Sequence, residues 1–124
     1  MTVAVEQRNE QRLYVDWPIW FTKGHGKAFY CGKMLAISST AVSLSCYLTK
    51  KSLSSGKQIS VYFQIPHFGL DDYSDIVNFT QVGCIIRIDT IDRNFCRIVI
   101  RFDEPLPFKP SKLGVLNRSF AASV

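Results

Sequence analysis

Two arginines near the start of the chain are the side chains best suited to hold a ligand. Arg8 and Arg12 lie four residues apart in the polar segment that precedes the first strand-like pattern. A guanidinium group can donate two hydrogen bonds to an anion such as a phosphate. The net charge of +5 also favours an anionic partner. Anion binding is therefore the first chemistry that the sequence indicates.

The distribution of the basic residues favours a small phosphorylated ligand at least as much as nucleic acid. Lysines and arginines are spread from Arg8 to Arg118 and form no run. Most aromatic residues occupy strand positions, where packing in the core is their commoner role. A nucleic-acid-binding barrel would need the basic residues to converge on one face, so we expect no nucleic-acid partner.

The residues that could bind a metal are spaced unfavourably. The four cysteines lie far apart, without a C-x-x-C pair, and each falls within or beside a predicted strand, which favours buried free thiols over a zinc site. These are Cys31, Cys46, Cys84 and Cys96. His67 and the nearby Asp71, Asp72 and Asp75 lack the regular oxygen spacing and the bend glycine of a calcium loop. We therefore expect no metal and no cofactor.

Catalytic patterns are missing from the sequence. It contains no H-E-x-x-H, no G-x-S-x-G, no phosphate-cradling glycine loop and no G-x-G-x-x-G after a strand. Its two histidines both fall in predicted loops, and no carboxylate pair has a spacing that suggests acid–base work. We expect a binding protein rather than an enzyme.

The length and composition of the chain indicate how many domains it forms. A chain of 124 residues, with 47% hydrophobic and 20% charged residues, is expected to form one globular domain. No apolar run approaches the roughly 20 residues that cross a bilayer, and the N-terminus lacks the pattern of a signal peptide. We expect a cytoplasmic protein without membrane insertion, made of a flexible arm (1–12) and a barrel domain (13–124).

Alternating hydrophobic residues predict six antiparallel strands. They cover Leu13 to Phe21, Ala28 to Ile37, Val42 to Tyr47, Ile59 to Ile65, Val77 to Thr90 and Phe95 to Phe102. Pro18 suggests that the first strand lies at an edge or carries a bulge, and Pro66 is expected to end the fourth before a loop from His67 to Ser74. In the last two strands the alternating sets are Cys84, Ile86, Ile88 and Cys96, Ile98, Ile100, Phe102.

The end of the chain and the closure of the sheet complete the predicted fold. Ser111 is a suitable N-cap for a short helix with Leu113, Leu116 and Phe120 on one face. Six short strands with turns between them favour a closed barrel, which removes exposed sheet edges. The predicted fold class is an all-β, six-stranded antiparallel barrel with a short C-terminal helix.

The order of two short motifs resembles the PilZ family. Arg8-x-x-x-Arg12 is followed, 24 residues after Arg12, by the turn that runs from Ala36 through Ser38 to Ala41. The family signature is R-x-x-x-R, a strand hairpin, and then D/N-x-S-x-x-G. The stretch from Gly56 to Pro66 and the hairpin from Val82 to Pro105 look like later strands of the family. The resemblance therefore extends from Arg8 to Pro107.

The resemblance implies a receptor for cyclic di-GMP, a bacterial second messenger with two guanines and two phosphates. Arg8 and Arg12 would clamp the ligand, and Ser38 would contribute a hydroxyl beside Ala36 and Ala41. The arm would become ordered on binding, and the altered barrel surface would be read by a protein partner in a motility, pilus or polysaccharide machine.

The second motif departs from the family pattern at two positions. Ala36 stands where the family has Asp or Asn, and Ala41 where it has Gly. The loss of one bidentate base contact is worth about 1–3 kcal/mol, or roughly a tenfold to hundredfold lower affinity. Alanine at position 41 would also be strained if the turn required a positive φ. An alternative is therefore an interaction module that keeps the barrel without binding the messenger, which a contiguous patch of exposed aromatics such as Trp20 or Tyr62 would favour.

Overall fold

The chain forms seven antiparallel strands in the residues that the computed structural model describes, which are 10–23, 29–47, 53–68 and 74–111. The strands are β1 (Leu13–Tyr14), β2 (Pro18–Lys23), β3 (Phe29–Ile37), β4 (Ala41–Tyr47), β5 (Gln58–Phe68), β6 (Ser74–Asp92) and β7 (Phe95–Phe102). Beyond Ser111, the predicted C-terminal helix lies outside the described residues.

Six of these strands close into a barrel. The neighbours run in the order β3-β2-β5-β6-β7-β4, and an additional pairing between β3 and β4 joins the two ends. Every pairing is antiparallel, and the short β1 pairs with β3 beside β2. The predicted all-β, six-stranded antiparallel barrel is therefore confirmed.

The first predicted strand is divided in two. The edge position suggested by Pro18 is wrong, whereas the suggested bulge is supported, because residues 15–17 face only residues 34–35 of β3. Between β1 and β2 the chain stays beside β3 through hydrogen bonds from Val15 N to Leu35 O and from Met34 N to Trp17 O. Pro18 is the first residue of β2, which pairs with β3 on one side and with β5 on the other. A proline at the first strand position is tolerated because the pairing with β5 begins only at Ile19.

The predicted end of the fourth strand at Pro66 is also wrong. Pairing of β5 with β6 continues through Pro66 and Ile76 to Phe68 and Ser74. The pairing of β5 with β2 stops at Phe63, so Pro66 pairs with β6 alone. A proline is tolerated there because its backbone nitrogen, which carries no hydrogen, can lie on the side without a partner strand. The predicted loop from His67 to Ser74 is therefore shorter. Asp71 and Asp72 lie outside the described residues.

The barrel interior is built from the predicted alternating residues. The inward sets of β2, β4, β5 and β7 are almost completely buried: Ile19, Phe21, Val42, Leu44, Ile59, Val61, Phe63, Ile65, Ile98 and Ile100. Phe63 stacks on Phe79 and Phe102, with ring centroids 5.7 and 6.4 Å apart. Each such side chain contributes about 1.5–3 kcal/mol when it is fully buried, so this alternation is the main source of stability.

The inward set predicted for β6 is wrong at Cys84 and Ile86 because the strand carries a bulge, whereas Ile88, beyond the bulge, packs against the core as predicted. The pairing with β7 shifts between Ile85 and Arg87, which makes Ile86 the extra residue. Ile85 is fully buried and Ile86 is 44% exposed, the reverse of the predicted alternation. A bulge changes which face the following side chains occupy. Further shifts lie between Met34 and Ala36 in β3 and between Thr90 and Asp92 in β6.

The four cysteines are all free, and they differ in burial. Cys46 and Cys96 are buried and lie directly opposite each other on β4 and β7, Cys84 is half-buried, and Cys31 is exposed. The prediction of buried thiols is therefore wrong for Cys31. Burial, together with the neighbouring Cys96, raises the pKa of Cys46 to about 12.

The described part of the chain holds neither a metal-binding cluster nor a membrane-spanning helix. No group of three or more His, Cys, Asp and Glu side chains within residues 10–23, 29–47, 53–68 and 74–111 could hold a metal ion. In the same ranges, no helix is long and apolar enough to span a membrane.

Candidate ligand-binding site

One part of the outer barrel surface brings the predicted site residues together. Strand register places Ala36, Ser43, Val99 and Arg87 in one row across β3, β4, β7 and β6. A neighbouring row contains Ser45, Arg97 and Asp89. Directly opposed residues on paired strands point to the same side of a sheet, so both rows belong to a single surface. We call this surface, together with Arg12 at its edge, the arginine face.

A pocket of about 230 Å³ lies on the arginine face. Four of the five predicted site residues line it: Arg12, Ala36, Ser38 and Ala41. The fifth, Arg8, lies outside the described residues. The pocket therefore joins the described part of the first motif to the second motif, although 24 residues separate Arg12 from Ala36.

Arg87 and Arg97 also line this pocket, and sequence reasoning missed both. They come from β6 and β7, far along the chain from Arg12, and neither belongs to a recognisable motif. The β6 bulge allows the consecutive residues Ile86 and Arg87 both to line the pocket, which regular alternation would prevent. The signal in the sequence is the doubled Ile85-Ile86 before Arg87, which interrupts the period of two.

Arg87 forms an ion pair that leaves part of its guanidinium unused. Its Nε lies 3.0 Å from Asp89 Oδ2 and donates a hydrogen bond of 3.1 Å to Oδ1. The two side chains are 65% and 37% exposed, and such surface pairs contribute about 0.2–1 kcal/mol. The two terminal amino groups take no part in this contact, so they can donate to a second anion.

The hydroxyl of Ser38 shapes the turn beside the pocket. Ser38 Oγ accepts hydrogen bonds of 3.2 Å from the N–H groups of both Thr40 and Ala41. The Ser38 N–H in turn donates to the Ala41 carbonyl at 2.9 Å. These contacts close the turn between β3 and β4 and give Ser38 a structural role whether or not a ligand is present. Ala41 begins β4, and a strand conformation is open to alanine.

The rest of this turn is anchored by three other segments. The Thr40 carbonyl accepts from Phe102 N at 2.8 Å, and the Ser39 carbonyl accepts from Leu106 N at 2.7 Å. On the remaining side, the Glu10 carboxylate accepts from the backbone N–H and from the hydroxyl of Ser39. The backbone donors of Ser38, Ser39, Thr40 and Ala41 therefore all have partners, which makes the turn a well-defined wall of the pocket.

A second outer surface carries aromatic side chains instead of arginines. Trp20 and Tyr62 are directly opposed on β2 and β5, and the ring of Phe29 lies 5.5 Å from that of Tyr62. A groove of about 230 Å³ beside Trp20 and Tyr62 extends to Asn78 and Thr80 on β6. We call this surface the aromatic face. Its three aromatic residues are contiguous, with Phe29 exposed and Trp20 and Tyr62 half-buried. Contiguity is one of the two features that favour the interaction-module alternative.

Comparison with known proteins identifies the fold. No protein-family model matches the chain, and no curated protein matches it. Solved structures do resemble it, among them the following two. The structure of the Bacillus subtilis inhibitor of motility, MotI/DgrA, aligns with 81% of this chain at 12% identity and a TM-score of 0.61. The chain spans only 44% of MotI/DgrA.

The second structure is the PilZ domain of YcgR from Escherichia coli with cyclic di-GMP. It aligns over 78% of both chains at 16% identity and a TM-score of 0.57. TM-scores of 0.61 and 0.57 indicate a likeness of overall fold. The chain therefore has a PilZ-like β-barrel fold.

Proposed function

We propose that this domain is a cyclic di-GMP receptor that passes the signal to a protein partner, with the pocket of the arginine face as its ligand site. The observation that carries the proposal is the meeting of Arg12, Ser38, Arg87 and Arg97 around one pocket. The fold supports it, since a structurally similar PilZ domain was solved with cyclic di-GMP. The likeness to an inhibitor of motility favours a partner in motility over one in pili or polysaccharide export.

The charge of the pocket fits a ligand with two phosphates. Arg12 enters from the segment before β1, while Arg87 and Arg97 come from the barrel wall. We assign one phosphate to Arg12 and Arg8, and the other to Arg87 and Arg97. Hydrogen bonds between guanidinium groups and phosphate are charge-assisted and often bidentate, so phosphate contacts should supply most of the affinity.

The guanine bases should be held less specifically than the phosphates. Ala36 lines the pocket, and its methyl side chain offers no acceptor to the guanine N1–H and N2–H groups. The Ser38 hydroxyl already bonds within its own turn. Ile86 and Val99 provide apolar surface against which a base can pack. We therefore expect weaker discrimination between guanine and adenine than a carboxylate at position 36 would give.

The size of the pocket suggests how binding could become a signal. At about 230 Å³ it is smaller than the ~300–1,000 Å³ typical of ligand pockets. A cyclic dinucleotide bound there would protrude from the barrel and be available for Arg8 to cover. The ligand and the arm would together form a new surface for the partner protein to recognise.

Calorimetric titration with cyclic di-GMP tests the proposal. We expect the wild-type chain to give a saturable heat signal and an Arg8→Ala, Arg12→Ala double variant to give none. Arg93→Ala is the matched control, because it removes a positive charge from the exposed turn between β6 and β7, away from the pocket. The proposal is wrong if the wild-type chain gives no heat at high micromolar ligand, or if Arg93→Ala weakens binding as much as the double variant does.

The aromatic face supports a second candidate function, an interaction module that does not bind the messenger. Its support is the contiguity of Trp20, Phe29 and Tyr62. The test measures swimming of host cells with and without the chain. On this alternative, any difference is lost when Trp20 and Tyr62 are replaced with alanine and kept in the double arginine variant. The receptor proposal predicts loss of the difference in the arginine variant.

A further inference from the structure

Glu10 lies midway between the two arginines of the first motif and is hydrogen-bonded to the turn of the second. Its Oε2 accepts from the Ser39 backbone N–H at 2.8 Å, and its Oε1 accepts from the Ser39 hydroxyl at 2.5 Å. Hydrogen bonds to an ionised carboxylate are stronger than bonds between neutral groups. This contact joins residues 29 positions apart and ties the arm directly to the wall of the pocket.

We infer that Glu10 is a positioning residue that holds Arg12 at the pocket for ligand. The inference rests on the proposed function, because it concerns the same site. Glu10 is not among the residues that line the pocket, so it would act through Arg12 and not by touching the ligand. The R-x-x-x-R motif assigns no role to Glu10, the middle one of the three residues between the two arginines.

The register of β1 explains how the contact would restrict Arg12. Leu13 pairs with Ile37 and Tyr14 with Ala36, so the chain immediately after Arg12 is fixed to β3. The Glu10 carboxylate fixes the chain two residues before Arg12 to Ser39. The chain is therefore attached on both sides of Arg12. Both attachments are to the end of β3 and the turn that follows it, which line the pocket.

The turn is a suitable anchor because its other polar groups are already engaged. Ser38 Oγ accepts hydrogen bonds from the N–H groups of Thr40 and Ala41. The Thr40 carbonyl accepts from Phe102 N, and the Ser39 carbonyl accepts from Leu106 N. The Ser39 N–H is bonded to Glu10. Loss of the carboxylate would leave this donor to solvent and free the chain on one side of Arg12.

Charge and position predict opposite effects of removing Glu10, which makes the inference testable. Glu10 is an anion close to a site proposed for an anion, so Coulomb repulsion alone would make a Glu10→Ala variant bind more tightly. If Glu10 positions Arg12, the same variant binds more weakly, because apparent affinity falls with the fraction of molecules in the binding-competent state. The sign of the change therefore distinguishes the two effects.

The experiment compares three variants by titration with cyclic di-GMP. Glu10→Ala should raise the Kd by about tenfold, the equivalent of about 1.4 kcal/mol. Glu10→Gln should bind close to wild type, because its amide oxygen can accept from the Ser39 N–H while its NH₂ group donates to the Ser39 hydroxyl. Glu104→Ala, which removes one exposed carboxylate outside the pocket, is the matched charge control and should bind as wild type.

A structural readout accompanies the titration. Without ligand, the Ser39 amide should exchange its hydrogen faster in Glu10→Ala than in wild type and in Glu10→Gln, while the thermal midpoints stay similar. The inference alone is overturned if wild type binds and Glu10→Ala binds as tightly or more tightly, or if Gln fails to rescue. A wild-type chain that does not bind cyclic di-GMP overturns the proposed function, and the inference with it.

Discussion

The arginine face and the aromatic face lie on the same barrel but are built differently. Below the aromatic face, β5 pairs with both β2 and β6 without a register shift. Around the arginine face, the pairings of β3 with β4 and of β6 with β7 are interrupted by bulges. One surface thus follows regular alternation and presents aromatic side chains. The other breaks the alternation and presents three arginines around a pocket.

The comparison indicates what the bulges contribute. A regular strand directs every second residue outward, which is sufficient to place Trp20 and Tyr62, both half-buried, on the outer surface. Ile86 and Arg87 both reach one pocket only because β6 contains an extra residue in its pairing with β7 after Ile85. Bulges re-aim side chains in this way and are common beside functional sites. We infer that the site depends on the irregular half of the barrel and that stability depends on the regular alternation inside it.

The largest effect is expected at Gly83, on the border between the two halves. Gly83 pairs with Ile59 of β5 and with Phe102 of β7. A Cβ at this position would lie 2.6 Å from the Arg101 carbonyl oxygen and 2.8 Å from Ile100 Cγ2, which is too close for an unshifted backbone. Overpacking of this kind costs about 1–3 kcal/mol, so Gly83→Ala should lower the unfolding free energy by about 3 kcal/mol in urea titrations.

Gly56→Ala is the comparison variant for this prediction. Gly56 has a φ of +90°, and a methyl group added there would have no neighbour within 4 Å, so only backbone strain opposes alanine at this position. Its expected loss is about 1 kcal/mol. Equal losses for the two variants would show that the contact between β6 and β7 is not tight at Gly83.

The next prediction separates the two outer faces by ligand affinity. An Arg97→Ala variant should bind cyclic di-GMP about tenfold to hundredfold more weakly, since one lost charge-assisted hydrogen bond is worth about 1.5–3 kcal/mol. Trp20→Ala should leave the Kd within about twofold of wild type, because Trp20 lies on the aromatic face and does not contact a ligand bound at the arginine face. A strong effect of Trp20→Ala would move the ligand site to the aromatic face.

The sequence predicted the barrel well because its interior alternation is strong. The inward sets of β2, β4, β5 and β7 could be identified, since a buried face requires hydrophobic residues at every second position. The β6 bulge could not be placed in advance, since a run such as Ile85-Ile86-Arg87-Ile88 is compatible with more than one register. The edge position suggested for Pro18 and the strand end expected at Pro66 were wrong, because the effect of a proline depends on where the neighbouring strand stops pairing.

The candidate site was predicted only where motifs were local. Arg12, Ser38, Ala36 and Ala41 were found through two short motifs, and they line one pocket. Arg87 and Arg97 belong to no motif, and only strand order brings them to that pocket. The contact between Glu10 and Ser39 depends on the antiparallel register of β1 and β3, which a two-residue strand does not reveal in the sequence.

The smallest expected effect is a difference in alkylation rate between the exposed and the buried cysteines. Cys31 is exposed and lies opposite Trp20 on the aromatic face, whereas Cys46 and Cys96 are buried. In the folded chain iodoacetamide should modify Cys31 much faster than Cys46, since burial raises the pKa of Cys46 to about 12 and suppresses its reactive thiolate. Mass spectrometry of the alkylated peptides measures the rates, and modified Cys31 should leave cyclic di-GMP binding unchanged.

The same raised pKa predicts how stability depends on pH. In the unfolded chain the Cys46 thiol ionises near its ordinary pKa of 9.0, while in the folded chain it stays protonated up to about 12. The contribution of this group is therefore fully present below about pH 9 and is lost as pH rises from about 9 to 12. Urea unfolding across that range should show a shallower decline for Cys46→Val than for wild type. An identical decline would contradict the assignment.

The most direct test of the account is to map the bound ligand by NMR. Backbone and arginine side-chain signals would be followed as cyclic di-GMP is added to the full chain. We expect the largest shifts at Arg12, the turn from Ser38 to Ala41, Arg87 and Arg97, with little change at Trp20 and Tyr62. Saturable shifts centred on the aromatic face, or no shifts at all, would contradict the claim that the arginine face is a cyclic dinucleotide site.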